Sequence, residues 1–99
     1  MFDNPRYISH SVDNNLSPFM QMLLWEMIDS MDMEQDYLQI FKLIPVNING
    51  IMVQKIIHTQ EKPKYEKIII LNRLTLPINA KIYVIDDGEH STMLFAEEY

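Results

Sequence analysis

Ser17–Met33, SPFMQMLLWEMIDSMDM, decides the fold, because no other stretch of comparable length carries helical periodicity. Ser17 is a good N-cap, since its hydroxyl can accept from an orphan backbone N–H of the first turn. Pro18 follows at the first helical position, where its missing N–H costs nothing. At about 100° per residue, Phe19, Met20, Leu23, Leu24, Met27, Ile28 and Met31 fall in one wide apolar arc. Gln21, Glu26, Asp29 and Asp32 fall mostly opposite, so the spacing predicts an amphipathic helix over Pro18–Met33. Met22 and Trp25 break the pattern and project among the acids. Two readings of Trp25 stay open. It tucks under a loop or the N-terminal segment, or it belongs to an exposed patch ringed by acids, as partner-binding surfaces are. Asp29 and Asp32 stand near the helix C-terminus, where the macrodipole disfavours negative charge. Helix stability alone does not call for acids there.

Outward from this helix the chain reads as strand and turn. Tyr37–Val46, YLQIFKLIPV, predicts a strand, with Pro45 marking an end or an edge. Asn47–Gly50 reads as a hairpin turn, in which Asn49 and Gly50 supply the positive φ that tight turns need. Ile51–Gln60 returns, Glu61–Lys64 turns again, and Tyr65–Leu71 is a strand rich in β-branched residues. Asn72–Ala80 reads as a loop crossing an end of the sheet. Lys81–Ile85 and Ser91–Ala96 are further strands, joined by the turn Asp86–His90. Upstream, Arg6–Val12 predicts a first strand and Asp13–Asn15 a turn. The order β-α-β-β-β-β-β predicts an α+β fold: one amphipathic helix packed on a mostly antiparallel five- to six-stranded sheet. A chain of 99 residues suits a single domain over 1–99, with no repeat period.

Composition narrows the function classes. Apolar residues make up 47% and aromatics 10%, which argues for a folded globule and against disorder. There is no cysteine, hence neither a disulfide framework nor a thiolate zinc site. No apolar run approaches the roughly 18–20 residues of a membrane helix, and MFDNPRY lacks the layout of a signal peptide. The expectation is a soluble cytoplasmic protein. Net charge is −6, unevenly spread. Residues 1–41 hold one base, Arg6, against seven acids; 42–81 hold seven bases against two acids; 82–99 hold five acids and no base. This balance argues against direct nucleic-acid binding, which needs a dominant basic face.

The strings LLWEMID (Leu23–Asp29), DYLQIF (Asp36–Phe41), IIHTQEKPKY (Ile56–Tyr65), AKIYVIDDGEHSTML (Ala80–Leu94) and EEY (Glu97–Tyr99) cover much of the chain. Together they resemble a family of small Gram-positive bacterial proteins known as domain of unknown function 960. IDDGEHSTML is the most specific part. The resemblance implies a bacterial, mobile-element or phage-associated origin. It implies no activity, substrate or cofactor, and no residue role transfers from it.

The candidate chemistries are few. Asp86, Asp87, Glu89 and His90 are potential ligands for a hard cation, but their spacing matches no calcium loop, and Asp–Gly here is an ordinary hairpin signal. Ser91 beside His90 lacks the strand–elbow–helix context of a nucleophile. His58 is expected as a half-exposed cross-strand partner. No phosphate loop or dinucleotide fingerprint is present. The reading is therefore a non-catalytic protein with no cofactor and no metal, adaptor-like or inhibitor-like. It binds another protein through Met22, Trp25, Glu26 and Asp29, with Asp32 at the rim. One alternative is an acidic DNA mimic acting against a nucleic-acid enzyme. It would use the cluster Glu26, Asp29, Asp32, Glu34 and Asp36 and the cluster Asp86, Asp87, Glu89, Glu97 and Glu98. The other is a metal-assisted hydrolase built on Asp86, Asp87 and His90.

Overall fold

Ser17 caps the central helix as its position suggests: its hydroxyl oxygen accepts from the Met20 N–H at 3.2 Å, and Pro18 opens the first turn. The computed structural model describes residues 1–72 and 76–99. Its elements are β1 (Arg6–Ile8), α1 (His10–Asn15), α2 (Pro18–Asp29), β2 (Leu38–Ile48), β3 (Ile51–Gln60), β4 (Tyr65–Leu71), β5 (Ala80–Asp86) and β6 (Ser91–Phe95), ending in a 3₁₀ turn at Ala96–Glu98. The fold is α+β. Six strands form one sheet in the order β1-β6-β5-β2-β3-β4. All pairings are antiparallel except β1 with β6.

The helix is shorter than its periodicity predicts. It ends at Asp29, not Met33, because polar side chains take up the last carbonyls. The Ser30 N–H donates to Glu26 O, the Ser30 hydroxyl to Met27 O, and the Gln35 amide to Ile28 O at 2.8 Å. The first strand is also shorter than Arg6–Val12. Ser9 Oγ accepts from the Val12 N–H and caps a six-residue helix, so Asp13–Asn15 is helical and not a turn. One apolar residue, Val12, is buried there, too few to leave a periodic trace.

The β2–β3 hairpin closes at Asn49 and Gly50, whose φ values of 54° and 85° are those of the primed turn that matches strand twist. Strands β2 to β5 form a Greek key, since β5 returns to lie beside β2 in the order β5-β2-β3-β4. The return spans the predicted Asn72–Ala80 loop, of which 73–75, including the basic Arg73, lie outside the described residues. Its Ile78 is tied down by Gln54, whose amide both accepts from and donates to the Ile78 backbone.

The helices cover one face of this sheet. Met20, Leu24, Met27 and Ile28 of α2 are buried with Phe41, Leu43, Ile56, Ile82, Val84 and Met93 of the strands. Each such side chain contributes about 1.5–3 kcal/mol on burial. Phe19, expected in the apolar arc, is exposed instead. Phe2 joins the core at 1% exposure from outside any predicted element.

Candidate functional site

Trp25 is half-buried, with its inner part against the core. The N-terminal segment reaches its outer part. The Arg6 guanidinium, on β1, lies 4.7 Å from the centre of the Trp25 ring, where the ring's negative face attracts a cation. Arg6 is held from two sides. Its Nη1 donates to Asp29 Oδ2 at 3.1 Å and its Nη2 to Asp29 Oδ1, a bidentate pair. Its Nε and Nη2 also donate to Phe2 O at 3.2 and 2.9 Å. The hydrogen bonds that Arg6 donates to Asp29, foremost, raise the guanidinium's pKa above its ordinary value. Asp29 thus stands at an unfavourable helix end because Arg6 offsets it there.

A groove of about 440 Å³ runs along this side of α2, lined by Met22, Trp25, Glu26 and Asp29 together with Arg6, Pro18 and Gln21. Four of the five predicted contact residues are therefore brought together. Asp32 is exposed beyond the helix end and does not line the groove. Met22 is 63% exposed, a large apolar side chain open to solvent. Sequence reasoning missed Arg6. The available signal was its isolation as the one base among residues 1–41, which makes it the natural partner for an acid of the helix. Gln21 is structural as well, since its amide donates to Leu16 O and Val12 O and so ties α1 to α2.

The Asp86–His90 turn has a different task. Asp86 Oδ2 accepts from the Phe2 N–H at 2.8 Å, and Oδ1 accepts from the Asn4 amide and the Gly88 N–H. These bonds, led by that of Phe2, hold the carboxyl below its ordinary range. Asp87 Oδ1 accepts from the Glu89 and His90 N–H groups, and the His90 bond leads in lowering its pKa. The His90 ring meets Tyr7 edge-on, and the buried Ser91 hydroxyl donates to Asn4 Oδ1. The turn anchors the N-terminal segment, and Ser91 and His90 face different partners. Among the described residues, no three His, Asp or Glu side chains gather as metal ligands would.

The acids of the second sequence cluster are divided between the two ends of β6. Asp36 accepts from the Tyr37 and Lys62 N–H groups, close to the Asp86 turn through the bond from Asp86 N–H to Tyr37 O. Glu98 lies at the other end of β6, accepting from Ser9 Oγ and the Phe95 N–H.

His58 is fully buried, not half-exposed. Its ring stacks on Phe41 at 4.2 Å between centres and meets Tyr65 edge-on. Nε2 lies 2.7 Å from Gln39 Oε1. The Gln39 amide nitrogen donates to Gln60 Oε1 and Asp36 O, so Oε1 is its acceptor and His58 carries the Nε2 proton. Gln60 in turn donates to Glu34 O and Pro63 O. This buried chain of amides fastens the 30–36 connection and the 61–64 turn to the sheet.

The family model described as "Staphylococcal protein of unknown function (DUF960)" matches residues 5–98. A solved structure, that of a protein of unknown function from Enterococcus faecalis, is similar with a TM-score of 0.76 at 27% identity. The match covers 98% of this chain and 92% of that one. No curated protein matches the chain. No helix among the described residues is long and apolar enough to cross a membrane.

Proposed function

We propose that this chain, which belongs to the DUF960 family of Staphylococcal proteins of unknown function, is a small non-catalytic cytoplasmic protein that binds another protein through the α2 groove. The observation that carries this reading is the gathering of Met22, Trp25, Glu26 and Asp29 on one groove, with Met22 standing free in solvent. Half-buried tryptophan beside exposed methionine is an anchor of the kind that dominates interface energetics. The Arg6–Asp29 pair holds Trp25 in place before a partner arrives, which lowers the ordering cost of binding. Glu26 at the margin steers a basic approach surface, so association weakens as salt rises.

The test uses two variants. Met22→Ala removes only exposed surface and is expected to leave the denaturation midpoint within about 0.5 kcal/mol of wild type. Trp25→Ala removes the anchor and is expected to cost about 2 kcal/mol or more of binding. Both variants, immobilised and challenged with host lysate, should lose proteins that wild type captures. Identical captured sets for wild type and both folded variants would overturn the reading.

A further inference from the structure

We infer that the sheet face opposite the helices is a second interaction surface, and that its occupant is an acidic polypeptide segment carrying aliphatic side chains beside its carboxylates. The register defines this face. Phe41, His58 and Ile82 are paired neighbours on the helix side, so side chains one residue along each strand point the other way. Ile40, Lys42 and Ile44 of β2, Lys55 and Ile57 of β3, Ile68 and Ile70 of β4, and Lys81 and Tyr83 of β5 lie there. Ile78, in the described part of the Greek-key return, is tied to the opposite side through Gln54. Ile68 and Ile70 are 47% and 41% exposed. They sit on β4, the outermost strand of the sheet. Isoleucines left open on a face this wide mark an interaction surface.

The charges say what kind of partner fits. In a chain of net charge −6, this face carries three lysines against one strand carboxylate, Glu66, which lies out on β4 opposite Thr59. Lys42 and Lys81 are direct cross-strand partners, a like-charge arrangement that destabilises a sheet. Lys55 lies diagonally from Lys42, opposite Ile44. Among the described residues none of the three makes an ion pair. Lys81 leans over the Tyr83 ring, its nitrogen 5.5 Å from the ring centre. Lys42, Ile44 and Lys81 share a depression of about 410 Å³ with Asn79, Ala80 and Glu97, the one carboxylate that lines it. A carboxylate arriving between Lys42 and Lys81 relieves their repulsion, and its aliphatic neighbours cover the isoleucines. A nucleic acid fits less well, because isoleucine offers no stacking platform and the whole-chain charge repels phosphate. A second copy laid face to face would set lysine against lysine.

Peptide binding tests this directly. The probe is a fluorescein-labelled decapeptide of alternating Leu and Glu, read by anisotropy, with a Leu–Lys decapeptide and a labelled single-stranded oligonucleotide as comparisons. The Leu–Glu peptide is expected to bind, and to bind more weakly as salt rises. The double variant Lys42→Glu with Lys81→Glu exchanges one like-charge pair for another, so it should fold as wild type does and bind the peptide at least tenfold more weakly. Trp25→Ala should leave this affinity unchanged, which separates the sheet face from the α2 groove. The proposal fails if the double variant, folded by circular dichroism, binds as wild type does. It also fails if the Leu–Lys peptide or the oligonucleotide binds more tightly than the Leu–Glu peptide. Sedimentation showing a wild-type dimer that the double variant abolishes would assign the face to a second copy and overturn the proposal equally.

Discussion

Phe2→Ala is expected to destabilise the protein by about 3–5 kcal/mol, the usual cost of emptying a buried phenylalanine site. Against a typical total of about 5–15 kcal/mol, that is a large loss for a residue outside every regular element. Phe2 has a φ of 63°, a left-handed conformation that costs a bulky residue about 1–2 kcal/mol. Its burial and three hydrogen bonds outweigh that cost: its N–H donates to Asp86, and its carbonyl accepts twice from Arg6. Urea denaturation of wild type, Phe2→Ala, Asp86→Ala and the double variant measures both the loss and the coupling. Because Phe2 and Asp86 hold one strap, the double variant should lose less than the two single losses added together. Strict additivity would mean that the carboxylate and the ring act independently. The same experiment reaches the α2 groove, since Arg6 leans on Phe2 O while it covers Trp25. Trp25 emission should shift to the red in folded Phe2→Ala as the guanidinium loosens.

That strap was invisible to pattern reading, whereas the sheet was not. Strands β3 and β4 fall on their predicted residues, because β-branched runs bounded by Asn–Gly and by Lys–Pro–Lys leave little choice of register. The Asn49–Gly50 turn was legible for the same reason. The main helix was legible from its stripe and cap, but its end was not. Met31 and Met33 continue the apolar period, but Met27 O, which Met31 would need, is taken by the Ser30 hydroxyl, and the Met31 N–H turns to Ile28 O, shared with the Gln35 amide. A short helix such as α1 has one turn to show and nothing to repeat. The groove was half legible: the four helix residues share a face by spacing alone, but Arg6 comes from 23 residues away, beyond the reach of any local rule. His58 was misread because a strand with polar residues on one face looks solvated. Here that face is buried, and Gln39 links His58 Nε2 to Gln60 by hydrogen bonds. His58 and Gln60 sit at alternate positions of β3, on the face where β2 brings Gln39; polarity argued for the wrong side.

Acid should expose the cost of burying that histidine. Burial, with the nearby Lys67 adding to it, lowers the His58 pKa from 6.5 to about 4. Its Nδ1 has no hydrogen-bond partner, so a second ring proton finds no acceptor in the folded state. The unfolded chain takes up that proton as pH falls through about 6.5, whereas the folded chain takes it up only near 4. Between those values the unfolded state binds more protons, and stability falls as pH falls. His58 therefore contributes its full share at pH 7, and this is lost progressively down to about pH 4. The gap corresponds to about 3 kcal/mol at roughly 1.4 kcal/mol per pH unit. Asp86, whose pKa lies below its ordinary value of 3.8, loses its contribution only at lower pH, so the two windows separate. Chemical denaturation at pH 7 and at pH 4.5 measures the slope. His58→Gln keeps a donor for Gln39 Oε1 and removes the titration. It should be less stable at pH 7, through lost stacking on Phe41, yet lose markedly less than wild type between the two pH values. Equal losses in the two proteins would show that the imidazole is protonated in the folded state, and that the Gln39–His58–Gln60 chain tolerates a buried charge.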